Sequence, residues 1–219
     1  MELRILPDLE ESFPGLQALI ANIRGVKVEK GSKELEELKE KIVKEVKEKY
    51  NIESLKDMQI FRAYRDFFWK VGIDPTKIRP AAEALIRRIL GGKSIPNINN
   101  VVDAYNLASI KTGIALAAFD EDKIQGNLIM RFARKGERFL GIGMDKPKEL
   151  QGREIVVSDD VKLIAIYPYR DADESKLNEK TKNILLIICG VPGISKEKLI
   201  DAKNIAIEYI TKFCGGAEV

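Results

Sequence analysis

Near Gly113 the apolar residues change from a run of helical spacings to a run of strand-like ones, and this limits the folds open to the chain. Upstream the spacing is helical. Ser32 suits the N-cap of a helix from Lys33 to about Lys49, with Leu35, Leu38, Ile42, Val43 and Val46 on one face. A second helix is expected from about Asp57 to Val71, with Ile60, Phe61, Tyr64, Phe67, Phe68 and Val71 on one stripe. Pro80 opens a third, ending at Gly91-Gly92, and Asn99 or Asn100 caps a fourth that stops before Gly113. Downstream the runs become short, β-branched and punctuated by glycine. They predict strands at about 114–119, 127–133, 138–142, 154–157, 161–167 and 183–189. Ser195 then caps a last helix to about Phe213, while residues 2–6 and 16–28 read as strands around a Phe13-Pro14-Gly15 turn. Helices followed by strands imply an α+β fold. No repeat or low-complexity linker divides it, so one domain over 1–219 is expected.

Chemistry is bounded by two absences. The 219 residues contain no histidine, which excludes Ser-His or Cys-His nucleophilic machinery and His-ligated metal. The two cysteines, Cys189 and Cys214, fit neither a zinc spacing nor a CxxC motif and read as small buried hydrophobes. Asp120-Glu121-Asp122 reads as a solvated turn, so neither metal nor cofactor is expected. No apolar run approaches the ~20 residues of a membrane span, and the N-terminus lacks the plan of a secretory signal. A cytoplasmic protein is expected. Lys and Arg number 37 against 34 acids, so any RNA contact must come from a local patch. The abundance of Lys, Glu and Ile resembles a heat-adapted composition.

The charges of the Lys33 helix interleave as Glu37/Lys41, Glu40/Lys44 and Glu45/Lys49, a solvated face with its own ion pairs. Glu83 and Arg87 make a further i,i+4 pair. The aromatics between Met58 and Trp69 have the spacing of core rather than of a base-stacking platform. Arg62, Arg65 and Lys70 lie off that stripe, facing either a phosphate backbone or water, and Arg88 follows on the next helix.

Several ordered segments carry a family pattern. Ile95-Pro96-Asn97-Ile98-Asn99-Asn100-Val101-Val102-Asp103-Ala104-Tyr105-Asn106 is followed by Ala118-Phe119-Asp120. Next come Gly126 to Glu137, with Arg131, and then Glu179-Lys180-Thr181-Lys182-Asn183-Ile184. Together they resemble the editing domain of the beta subunit of phenylalanyl-tRNA synthetase over about half the chain, with a matching core near 62–190. Tyr64-Arg65, Gly72-Ile73-Asp74-Pro75, Arg79-Pro80, Arg87-Arg88 and Tyr169-Arg170-Asp171 are similar to a stand-alone subgroup of that family.

The resemblance implies helices packed on a mixed, mostly antiparallel sheet, and a pocket that receives the aminoacylated 3′ end of tRNA. In the synthetase this domain removes misattached tyrosine; stand-alone members act on other mischarged tRNAs, including arginine tRNA carrying an arginine analogue. Nothing in the chain resembles the aminoacylation domain. The expected function is therefore a trans-acting aminoacyl-tRNA deacylase, the alternative being a tRNA- or amino-acid-binding module without chemistry. A binder or hydrolase of a free small molecule is the third option.

Carried over residue by residue, Asn106 keeps the family asparagine. Tyr105 replaces a pocket threonine, Ala117 replaces the family histidine, and Lys176 stands where a glutamate is usual, with Asp173 and Glu174 nearby. On this pattern Asn106 and Thr181 contact the ester or ribose, Asp103 orients neighbouring donors, and Lys176 acts at the pocket rim. Arg131 and Arg170 suit phosphate or carboxylate, and Arg62, Arg65 and Arg88 are the candidates for the tRNA body. The residues also admit plainer roles. Asp103 in a first helical turn favours the macrodipole, and Arg131 can pair with Glu137. An apolar floor closed by Tyr105 would select a small side chain; an open acidic cavity near Asp173 and Glu174 would select a basic one.

Overall fold

A computed structural model describes residues 1–219. In chain order the elements are β1 (Leu3–Ile5), α1 (Pro7–Ser12), β2 (Ala18–Arg24), α2 (Lys33–Lys49), α3 (Gln59–Lys70), α4 (Ala81–Leu90) and α5 (Asn100–Thr112). Then follow β3 (Ala115–Asp120), β4 (Leu128–Phe132), β5 (Arg138–Phe139), β6 (Lys148–Glu149), β7 (Ile155–Ser158) and β8 (Leu163–Ile166). The last elements are β9 (Arg170–Asp171), β10 (Asn183–Cys189), α6 (Lys196–Cys214) and β11 (Ala217–Glu218). The α+β architecture agrees with the change of period at Gly113.

The strands form two main sheets and a small ribbon. One sheet has the order β1-β4-β7-β8-β9, parallel only between β1 and β4; the other is antiparallel, β11-β2-β10-β3; β5 pairs with β6 alone. β10 is central and buried from Ile184 to Cys189, which is why its sequence is a continuous apolar run rather than an alternation. β7 alternates instead. Ile155 and Val157 enter the main core, and Val156 joins a smaller cluster with Phe139, Leu150 and Ile166 on the opposite face.

Local chemistry sets the helix ends. Ser32 Oγ accepts from the Leu35 N–H, Asn99 from the Val102 N–H, and Ser195 from the Lys198 N–H, so three helices begin where the capping residues place them. Asn100 does not cap. It is buried and ties three segments, accepting from the Glu29 N–H and donating to the Lys27 and Phe213 carbonyls. α5 ends at Gly113, whose φ of 76° is left-handed; a Cβ there would come within 2.8 Å of Ile60. α5 is buried on nearly every side, packing on α6 and β3, which fits its lack of a polar face.

Residues 2–28 depart from the sequence expectation. They do not form two strands about one turn, because Pro7 starts α1 with Asp8 and Glu10 in its first turn, and β1 and β2 enter different sheets. The predicted pairs on α2 also give way. Lys33–Glu37 (3.7 Å) and Lys41–Glu45 (4.0 Å) form at the surface, while Lys39 turns inward. Such exposed pairs contribute little.

Candidate active site

The two main sheets and α5 enclose a cavity of about 180 Å³. α5 supplies Tyr105 and Asn106, β3 supplies Leu116, Ala117 and Phe119, and β10 supplies Ile187 and Cys189. The opposite wall is Val157 of β7, Ala165 and Ile166 of β8, the Tyr167-Pro168-Tyr169 turn, and Asp171 of β9; Ala81, at the start of α4, completes it. Ala81, Ala117 and Ala165 leave the room that larger side chains would fill.

The walls are almost wholly apolar, and two of the neighbouring phenols, Tyr64 and Tyr167, are spoken for. The Tyr64 hydroxyl donates to the Cys189 carbonyl and accepts from the Ala115 N–H; the Tyr167 hydroxyl donates to the Gly190 carbonyl. Four lining groups make no side-chain hydrogen bond within the chain: the Asn106 amide, the Tyr105 and Tyr169 hydroxyls and the Asp171 carboxyl. Burial raises the Tyr105 phenol, reinforced by the Asp171 charge, so it stays a neutral donor. Burial likewise pushes the Cys189 thiol up, leaving it unreactive. The site thus offers an amide, a phenol and a carboxyl in an apolar setting where each polar contact counts for more than in water.

Burial also pushes the Asp171 carboxyl up to about 7, opposed only in part by Arg170. Its folded pKa lies above the unfolded value, so between about pH 4 and 7 the folded state holds a proton that the unfolded chain has lost. Stability from this group is therefore intact below pH ~4 and lost as pH rises through 7. Asp171→Asn is expected to raise stability at pH 8 by about 1–2 kcal/mol, discounted for partial exposure. Thermal melts across pH check this: the gap between variant and wild type should close toward pH 4, and a constant gap would count against the desolvated carboxyl.

Of the residues singled out in the sequence, the structure brings Asn106, Tyr105 and Ala117 together at the cavity. The others lie elsewhere. Thr181 is buried, donating to Asp120 Oδ2 at 2.8 Å and accepting from the Asn178 N–H, and so locks a turn rather than facing a ligand. Asp103 accepts from Lys39 Nζ at 2.7 Å and from the Ile98 N–H at 3.0 Å, beneath α5. Arg131 forks onto Glu137 at 2.7 and 3.0 Å, and that bond holds the Glu137 carboxyl below its ordinary value. Lys176 pairs with Asp173 at 2.7 Å, away from the cavity lining.

Arg170 turns from the cavity, donating to the Ile142 carbonyl and lying over the Tyr169 ring. The arginines considered for the tRNA body are also engaged within the chain. Arg62 meets Asp57 at 3.2 Å, Arg65 and Arg87 both bind Glu83, and Arg88 donates to the Ser94 carbonyl.

Asp171 is the lining residue that sequence reasoning passed over. It stood in the Tyr169-Arg170-Asp171 string, of which only Arg170 was given a role. On a strand, however, neighbours point to opposite faces, so Arg170 and Asp171 part company.

Comparison with known proteins gives a consistent likeness. The B3/4 domain family matches residues 63–215. The phenylalanine–tRNA ligase beta subunit of Aquifex aeolicus is 37% identical over 101 residues, 46% of this chain and 13% of that protein. Its counterpart in Synechocystis sp. is 30% identical over 144 residues, 63% of this chain and 18% of that protein. The chain therefore matches less than a fifth of the length of either relative. Among solved structures, an N-terminal fragment of the phenylalanyl-tRNA synthetase beta subunit from Pyrococcus horikoshii aligns over 99% of this chain and 50% of that chain. Its TM-score is 0.55 at 14% identity, a likeness of fold.

Proposed function

The chain belongs to the B3/4 domain family, and from that premise we propose that it hydrolyses, in trans, the ester linking a wrongly attached amino acid to tRNA. The cavity receives the aminoacyl group. The observation that carries this reading is the convergence in one apolar hollow of polar groups without internal partners, Asn106, Tyr105 and Asp171 foremost.

An aminoacyl ester is already activated, and the hydroxyl beside it on the terminal ribose can orient or relay a proton for the attacking water. The protein then contributes by holding the ester still and offering donors where negative charge develops. The Asn106 amide and Tyr105 hydroxyl are such donors, and neither must break an internal bond to serve. The lack of histidine is no obstacle to this chemistry.

The reading is tested with purified protein and tRNAs carrying each of the twenty amino acids and common analogues. Ester loss is expected for at least one mischarged pair; no loss across the whole panel would sink it. Asn106→Ala is expected to lower turnover by about 10²–10³-fold, the usual cost of a lost oxyanion donor. Because the Asn106 side chain makes no hydrogen bond within the chain, the melting temperature should move by no more than about 2–4 °C. Equal loss of fold and activity would make Asn106 structural.

A binding module without chemistry is favoured by one specific observation: Thr181 and Lys176, expected to assist hydrolysis, do not line the cavity. Salt-sensitive tRNA binding with no ester loss would select it.

A further inference from the structure

The polar group that the ester chemistry above leaves unused is the most unusual one in the cavity. The Asp171 carboxyl has no hydrogen bond and no ion pair with any group of the chain, although it lines a hollow whose other walls are mostly hydrocarbon. Its one cationic neighbour, Arg170, is committed to the Ile142 carbonyl and the Tyr169 ring. A half-buried carboxylate in this position lacks a counter-ion, and such a group is stabilised when a ligand brings the missing positive charge.

Resting on the deacylase reading, we propose that Asp171 is the counter-ion for the α-ammonium group of the aminoacyl moiety, and that the cavity selects free-amine aminoacyl groups with small, uncharged, apolar side chains. With the ammonium at Asp171 and the ester at Asn106, the side chain is left the wall of Leu116, Phe119, Val157 and Ile187. The space of about 180 Å³ is little more than the ~150 Å³ cavity that takes a benzene molecule. A second positive charge has no partner there, because Asp171 is the only acid in the lining. Asp173 and Glu174, the acids that would have marked a pocket for basic side chains, are outside it; Asp173 holds Lys176 and Glu174 lies near Lys162.

The groups facing Asp171 are Tyr105 from α5, Cys189 from β10, Tyr167 and Tyr169 from the turn after β8, and Arg170 from its own strand. Burial keeps the Tyr105 and Tyr167 phenols and the Cys189 thiol neutral. Asp171 is thus the group that changes charge near neutrality. Ammonium binding favours its ionised form, so affinity rises with pH up to about 7 and falls again as the ligand's own α-amine loses its proton at about pH 8.

The test measures binding, so it does not depend on hydrolysis. The probes are 3′-aminoacylamino-3′-deoxyadenosines, whose amide replaces the labile ester, titrated calorimetrically with a free or an N-acetylated α-amine. The expected result for an apolar probe such as the valyl form is a loss of about 10- to 100-fold in affinity on acetylation. Asp171→Asn should bring the free-amine probe down to the same level, leave the acetylated probe unchanged and flatten the pH dependence.

Equal binding of free and acetylated probes overturns the proposal. So does preference for lysyl or arginyl probes over valyl, which would put the side chain at Asp171. No binding of any probe overturns it as well. Free-amine selectivity in a protein that removes no ester from mischarged tRNA would uphold this inference while ending the deacylase reading.

Discussion

Lys39→Met lowers the stability of the chain by about 3–5 kcal/mol, the usual cost of removing one partner of a buried ion pair. For a chain of this size that is a fall of roughly 6–20 °C in melting temperature. Lys39 is 5% exposed and Asp103 1%, and their 2.7 Å contact joins α2 to the first turn of α5. Burial alone would pull the Lys39 ammonium down, but its bonds to Asp103 and Glu36 outweigh that and raise it above its ordinary value. A lysine raised in this way contributes fully below about pH 10 and loses its effect only as pH climbs through the folded pKa.

Methionine keeps the length of the stem but leaves Asp103 charged, enclosed and bonded only to the Ile98 N–H. The double variant Lys39→Met/Asp103→Leu should recover much of the loss, since an apolar pair of similar volume carries no stranded charge. Urea melts of the two variants decide the matter. If the double variant is no better than the single one, Asp103 has a role beyond pairing with Lys39.

Glu83→Ala is expected to cost a similar 3–5 kcal/mol, read from the same melts. Glu83 is fully buried in the first turn of α4, and its carboxylate serves two arginines: Arg65 of α3 at 3.0 and 3.2 Å, and Arg87 at 2.7 Å. Removing it strands two cations at once and unties α3 from α4. Arg65→Ala should cost less, because Glu83 keeps Arg87. It should also leave tRNA affinity within about twofold if Arg65 is the structural group its geometry describes; a steep fall in the salt dependence of tRNA binding would instead return Arg65 to the nucleic-acid surface.

The helices were legible because their signals are local: a capping serine or asparagine, a 3.6-residue stripe and a terminal glycine all lie within one element. Ser32, Asn99, Gly113 and Ser195 each mark an end that the structure reproduces. Strand partners were not legible in the same way. Nothing in residues 3–5 announces a parallel pairing with 128–130, and the two-residue strands β6 and β9 are too short to show a period.

The site divides along the same line. Asn106 and Tyr105 are adjacent on one helix turn and could be placed from the family pattern, whereas Asp171 reaches the cavity only through the pairing of β9 with β8. Thr181 and Arg131 matched the pattern too, but their bonding partners, Asp120 and Glu137, give them structural work. A motif records that a residue type is needed at a place. It does not say whether a ligand or the chain itself needs it.

The N-terminal strand β2 lies beside β10, and Gln17, next to it, donates to the carbonyl of Ile194, 177 positions away. A ribosome adding about 5–20 residues per second reaches Ile194 roughly 9–35 s after Gln17. Throughout that interval the backbone of Ala18–Arg24 has no neighbour on the side that β10 will occupy. The nascent chain therefore carries an open, largely apolar edge through most of its synthesis, the situation in which strands find the wrong partner. The partner of β2 on that side is thus settled only as the last fifth of the chain is made.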